Sequence, residues 1–253
     1  MRIYAISDIH VDYDENKTWL NNLSKYEYID DIIIVAGDIS DNIQLIEETF
    51  IAFGKRFSKV FFVPGNHELW VKRDKTMNSL EKFFKILQIA DQYGIYTKPL
   101  SVGKVSVVPL YSWYDYTFGR PDSDLISSWA DYLYCCWPEG CDIETISEKF
   151  FMLNVENLKI TNEYIISFSH FLPTLELILI KGLKRKYFLN PVLGSSFLHE
   201  QIKKLKSKLH VYGHSHINFC REVDGTMYIN NAYGYPHEKH IAAKKLMCIH
   251  DFS

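Results

Sequence analysis

No apolar stretch in this chain approaches the roughly 20 residues that a membrane-spanning helix requires, so no span is expected. The N-terminal RIYAIS run is broken by Asp8 before it could form a signal-peptide core, so no secretory signal is expected either. Positive charge is not in excess. Lys and Arg number 28 against 31 Asp and Glu, for a net charge of −3 and a pI near 6.4. That balance removes any global attraction to polyanions and leaves nucleic-acid binding to a local basic patch. The nearest to one is KGLKRK at 181–186, expected as a solvated loop. Cysteines are few and odd in number. Cys135, Cys136 and Cys141 cluster without the paired CxxC of a structural zinc site, so the five are expected as reduced, mostly packed thiols of a cytoplasmic protein. Internal repeats, low-complexity tracts and linkers are missing as well.

What is present is core-forming material: 47% of the 253 residues are hydrophobic, ample for one substantial domain. Short motifs end four of the apolar runs. Asp8-Ile9-His10 follows RIYAIS, Gly37-Asp38 follows IIIVA, Gly65-Asn66-His67-Glu68 follows VFFVP, and Gly213-His214-Ser215-His216 follows LHVY. Asp38 lies 28 residues after His10, and Asn66 another 28 after Asp38. A strand–helix–strand unit takes roughly 30 residues, so each motif falls one such unit after the last. Right-handed crossovers then set the strands side by side with their motif loops on one edge, where open α/β sheets build their sites. A divalent-metal centre is the simplest use of Asp, His and Asn gathered there.

Helices are expected over 17–28, over 42–57 with Asp41 as a cap, and over 75–92 with Gly94 as the stop. Further helices are expected over 144–158 and 195–206, and strands at 104–110, at EYIISFSH ending in Ser169-His170, at LHVY and at the closing AAKKLMCIH. NFCREVDGTMYINNA reads as a hairpin turning on Asp224-Gly225. The stretch 111–142 breaks this pattern. It is rich in Trp and Tyr and reads as an insertion or cap, either a buried cluster or a lid on the substrate cleft.

In that order, DxH, GD, GNHE, a lone strand-end His and GHxH, the motifs make the chain resemble the calcineurin-like metallophosphoesterases from Asp8 to His216. The resemblance implies an αββα sandwich of two mixed sheets flanked by helices. It implies one metal on Asp8, His10, Asp38 and His216, and another on Asp38, Asn66, His170 and His214, with Asp38 bridging. Such mixed N/O ligands suit Mn, Fe, Zn, Ni or Co. Two cations roughly 3.5–4 Å apart acidify a shared water and clamp phosphate oxygens. His67 matches the family's proton donor to the leaving oxygen.

Asp41 matches a position that orients this histidine in the protein-phosphatase branch. There an Arg follows it, whereas here Asn42 does, which argues against a phosphoprotein phosphatase. Trp113 and Arg120 are expected to contact substrate, and Asn231 to lie beside the metals or substrate. His199, His210, His237, His240 and His250 are expected at the surface or as satisfied packing residues. The implied reaction is metal-dependent hydrolysis of a small phosphomonoester or phosphodiester. A nuclease of the same superfamily and a non-catalytic protein-binding scaffold are the alternatives. Oligomeric state is left open.

Overall fold

A computed structural model describes residues 1–74, 76–178 and 187–252; the basic stretch 181–186 lies outside them. Three βα repeats begin the chain. Strands β1 (Arg2–Ile6), β2 (Ile32–Val35) and β3 (Lys59–Phe62) run parallel and adjacent, and β10 (Met247–Asp251) adds antiparallel to β1. The intervening helices are α1 (Asp14–Asn22), α2 (Ile43–Gly54) and, after β3, α3 (Ser79–Gln92). The second sheet has the order β4-β5-β6-β7-β9-β8. Its strands are β4 (Leu100–Val102), β5 (Val105–Pro109), β6 (Tyr164–Phe168), β7 (Leu209–Tyr212), β8 (Phe219–Val223) and β9 (Thr226–Asn230). Four of them, β5, β6, β7 and β9, are parallel neighbours.

Period-two alternation sorts the side chains into layers. Ile3, Ala5, Ile32 and Ile34 point between the sheets and meet Val105, Val107, Ile166 and Val211 there. Their neighbours Tyr4, Ile6, Ile33 and Val35 pack outward on Phe50, Phe53 and Ile86 of α2 and α3. On the far side, Val108, Ile165 and Tyr212 pack against Leu198, Ile202 and Leu205 of α7 (Ser196–Leu205). The expected αββα sandwich is therefore the fold.

Element boundaries shift for local reasons. The first helix begins at Asp14 rather than 17 and ends at Asn22, with two acidic residues in its first turn. The second is capped by the Asn42 side chain, which accepts from Gln44 N at 2.9 Å; Asp41 is not its cap. The third starts only at Ser79, where Asn78 and Glu81 form a capping box. An unexpected strand, β4, forms a hairpin with β5 across Gly103. The expected hairpin turn holds: Asp224 and Gly225 both have positive φ between paired Val223 and Thr226.

Three short helices follow β5: α4 (Ser123–Ser128), α5 (Ala130–Tyr134) and α6 (Ile143–Leu153). The aromatic stretch is mainly core. Trp113 is 1% exposed, with its ring 5.0 Å from those of Trp137 and Phe171. Cysteines depart from expectation, since Cys136, Cys220 and Cys248 are exposed; all five are free. No helix among the described residues is long and apolar enough to cross a membrane.

Candidate metal centre

Every motif loop leaves the carboxyl end of a parallel strand. Asp8 and His10 follow β1, Asp38 follows β2, Asn66 follows β3, His170 follows β6, and His214 and His216 follow β7. The two sheets meet here, because the chain after β9 crosses to β1: Ser7 N donates to Asn231 O at 3.1 Å and Tyr233 N to Ser7 O at 2.8 Å. Five of these residues carry left-handed backbone: Asp8 (φ 51°), His10 (46°), Asp38 (57°), His214 (67°) and His216 (55°). Such conformations cost about 1–3 kcal/mol each in non-glycine residues and gather at functional sites. The glycines give the room. A Cβ on Gly65 would lie 2.2 Å from Asp38 Oδ1, and one on Gly37 2.5 Å from His170 Nδ1.

Two donor clusters result, one of Asp8, His10, Asp38 and His216 and one of Asp38, His170 and His214, each with its atoms within 4.8 Å. Asp38 belongs to both. Asn66 joins the second, its Oδ1 3.0 Å from His170 Nε2 and 3.0 Å from His214 Nδ1.

Whether these donors fit a cation can be tested by their lone pairs. His170 Nδ1 lies 2.9 Å from Ala36 O and His214 Nε2 3.0 Å from Val192 O. A carbonyl only accepts, so both nitrogens donate, and in a neutral ring the opposite nitrogen carries a lone pair. Burial keeps both rings neutral, lowering His170 and taking His214 down to about 3. Two imidazole lone pairs thus face an amide oxygen, with Asp38 Oδ2 3.5 Å from His170 Nε2. Acceptors meeting acceptors in a dry site repel unless a cation lies among them, so the donor set fits.

In the first cluster His10 Nε2 and His216 Nε2 face each other at 3.1 Å. Burial opposes charge on His216, but Asp8 and Glu238 outweigh it and hold that imidazole up to about 9. Asp38 is pushed well above the usual carboxylate range by burial, then by the charges of Glu68 and Asp8. This excess of buried carboxylate is another mark of a cation site.

His67 Nε2 lies 3.8 Å from Asp38 Oδ2 and 3.4 Å from Tyr235 OH. Its ring rests on Trp70, 3.6 Å between centroids. Burial, followed by the neighbouring histidines, lowers its pKa well below the ordinary value.

The other expected site residues have partners of their own. The Asp41 carboxylate is taken by Arg73 Nε at 3.0 Å and Lys72 Nζ at 3.4 Å, so its expected pairing with His67 gives way to two stronger cationic partners. Trp113 is buried beneath the site, against Phe171. Arg120 is exposed and pairs with Glu144 and the Tyr116 ring. Asn231 is a buried tie, its Nδ2 donating to Ala5 O and Lys245 O, both at 2.9 Å.

Four residues at the site went unread in the sequence. Glu68 accepts from the backbone N–H of Gly65, Asp38, Ile39 and Ser40 and so binds the second and third motif loops together; burial still raises it to about 7. Glu238 accepts from His216, Tyr235 stacks on His10 at 4.5 Å, and Asp131 of α5 accepts from Asn66 Nδ2 at 2.8 Å. Only Glu68 stood within a motif, with no role of its own read there; the others are placed by tertiary structure.

Known proteins resemble this chain in sequence and in fold. A Mycobacterium tuberculosis protein named [Acyl-carrier-protein] phosphodiesterase PptH is 33% identical over 125 residues, which are 46% of this chain and 38% of that protein. The match thus spans well under half of the curated relative's length. A crystal structure of phosphopantetheinyl hydrolase PptH from the same organism superposes with a TM-score of 0.81 at 22% identity, covering 98% of this chain and 95% of the other. A further solved structure gives a TM-score of 0.52 at 14% identity over 91% of this chain and 90% of the other. The sequence model for calcineurin-like phosphoesterases matches residues 1–218, the span that contains all seven candidate ligands, and the chain belongs to that family.

Proposed function

We propose that this chain is a metal-dependent phosphodiesterase with a binuclear centre, whose substrate is a phosphodiester joining a phosphopantetheinyl group to a carrier protein. The observation that carries the reading is the shared Asp38, with one complete donor set on each side of it. The substrate class follows the names of the relatives. That ligands come from both sheets supports treating the chain as one domain, and the unpaired cysteines support a cytoplasmic setting.

Asp8, His10, Asp38 and His216 would hold one cation, and Asp38, Asn66, His170 and His214 the other, from among Mn, Fe, Zn, Ni and Co. When bound, the pair supplies an acidified water and a clamp for phosphate oxygens. The protein's own part is orientation and proton transfer. His170, His214 and His216 are each held through the outer ring nitrogen by an acceptor, which fixes the inner nitrogen toward the centre. His67, seated between Trp70 and Tyr235 beside Asp38, would act as general acid from its protonated form, giving one proton to the departing oxygen and returning to the neutral imidazole that burial favours.

The test is a hydrolysis panel on chelated protein reloaded with each of the five metals. Its substrates are bis-p-nitrophenyl phosphate, p-nitrophenyl phosphate, phosphopantetheinylated carrier protein and single-stranded DNA. Turnover of the diester and release of the phosphopantetheinyl group are expected. Inactivity with every metal would overturn the reading, and activity on DNA alone would redirect it to a nuclease.

A further inference from the structure

Different parts of the chain complete the two donor clusters. His216, in the first, is held by Glu238 of the C-terminal segment at 2.6 Å. Asn66, in the second, is held by Asp131, which lies in the aromatic insertion far from any motif. Asp131 is 2% exposed, and each of its oxygens is engaged. Oδ1 accepts from Asn66 Nδ2 at 2.8 Å and Trp70 Nε1 at 2.7 Å, and Oδ2 from Trp129 Nε1 at 2.8 Å.

The amide of Asn66 has two ends of nearly equal shape and opposite polarity, and only the oxygen can ligate a cation. A carboxylate accepts and cannot donate. Placed behind the amide, it permits the orientation with NH2 outward and Oδ1 toward His170 and His214. The flipped amide would set oxygen against carboxylate in a site closed to water and leave buried acceptors unpaired.

We infer that Asp131 is a positioning residue for the second cation: it locks the Asn66 amide with its oxygen inward and so makes the aromatic insertion a determinant of that site's affinity. This rests on the binuclear reading above. His170 and His214 take their orientation from Ala36 and Val192. Among the described residues Asp131 has no hydrogen bond to Asp8, His10 or His216, and its hydrogen bond to a candidate ligand is to Asn66 of the second cluster, so its loss falls chiefly on one cation.

The experiment is calorimetric titration of chelated protein with Mn(II), supported by its electron paramagnetic resonance signal, neither of which reads turnover. Wild-type protein should take up two ions. Asp131→Leu keeps the branched shape and removes the acceptors; it should bind one ion as wild type does and the other about 10–100-fold more weakly. Adding Asn66→Asp to Asp131→Leu should restore the weak ion, because a carboxylate presents oxygen at either end and needs no lock. In the wild-type background Asn66→Asp opposes Asp131 and should instead weaken it.

Wild-type affinity of Asp131→Leu for both ions, equal weakening of both, or no recovery on adding Asn66→Asp would overturn the inference. Should thermal melting show Asp131→Leu unfolded, Asn66→Asp is compared with Asn66→Asp/Asp131→Asn, in which residue 131 donates to residue 66. Tighter second-ion binding by the double variant is expected, and no gain overturns the inference. A wild-type protein that takes up no ion would instead overturn the functional reading itself.

Discussion

His216 Nδ1 donates to Glu238 Oε2 at 2.6 Å, and that same oxygen accepts the backbone N–H of Tyr235 at 2.7 Å. One carboxylate oxygen therefore turns His216 Nε2 toward His10 and Asp8 while seating the tyrosine whose ring covers His10. His170 and His214 repeat the logic with backbone carbonyls as the outer acceptors. The protein itself therefore sets the direction of three of the four candidate imidazole ligands, His170, His214 and His216.

Asp38 stands apart because both clusters use it. Asp38→Asn should lower the affinity for both ions, with turnover falling by more than the roughly 10–100-fold typical of outer partners. Elemental analysis after reconstitution checks it, and one ion retained at wild-type affinity would show that Asp38 is not shared. Single changes at His10 or His170 should each weaken mainly one ion.

His67→Gln removes a proton donor and no member of either donor cluster, so metal content should stay near that of wild type. Turnover should fall about 10²–10⁴-fold on alkyl esters. The loss should shrink on nitrophenyl esters, whose leaving group departs without protonation. Equal losses on both ester types would remove His67 from that role.

How far the site could be read from sequence depended on how local each cause was. The seven candidate ligands follow strand ends, the first three motifs among them at βαβ spacing, and strand alternation sorts Ile3 and Ala5 from Tyr4 and Ile6. Asp131 and Glu238 were illegible, because nothing in their neighbourhoods reports the tertiary contact that aims them at Asn66 and His216. Asp41 misled for the opposite reason: its motif position was right, but Lys72 and Arg73, some thirty residues on, fold back to claim its carboxylate. Trp113 misled because a Trp after a sheet strand suits a cleft wall and a core equally well, and only packing against Phe171 and Trp137 decides for the core.

Trp113→Ala should accordingly act on stability. Removing a fully buried Trp costs about 3–5 kcal/mol, to be read as a lowered urea midpoint. Arg120→Ala breaks an exposed pair worth about 0–1 kcal/mol and should leave both stability and KM near wild type. A raised KM for Arg120→Ala with no loss of stability would return that residue to the substrate cleft.

His210 supplies the pH dependence that is independent of the metals. It is completely buried on β7, with Nδ1 2.7 Å from Ser167 Oγ and Nε2 3.0 Å from Ser169 Oγ. Burial, helped by His199, takes its pKa from the ordinary 6.5 down to about 3. Between those two values the unfolded chain binds a proton that the folded protein refuses. The stability this site contributes is therefore complete above pH 6.5 and is lost as pH falls through the window toward 3. The slope is about 1.4 kcal/mol per pH unit for one proton. His210→Gln keeps an amide donor and acceptor between the two serines and cannot titrate. Urea unfolding of chelated wild type and variant from pH 7 to pH 4, a range set roughly by those pKa values, should show the wild type losing stability more steeply, by one proton's slope. Parallel curves would mean that His210 accepts a proton in the folded state, and that the Ser167–His210–Ser169 chain can rearrange to hold it.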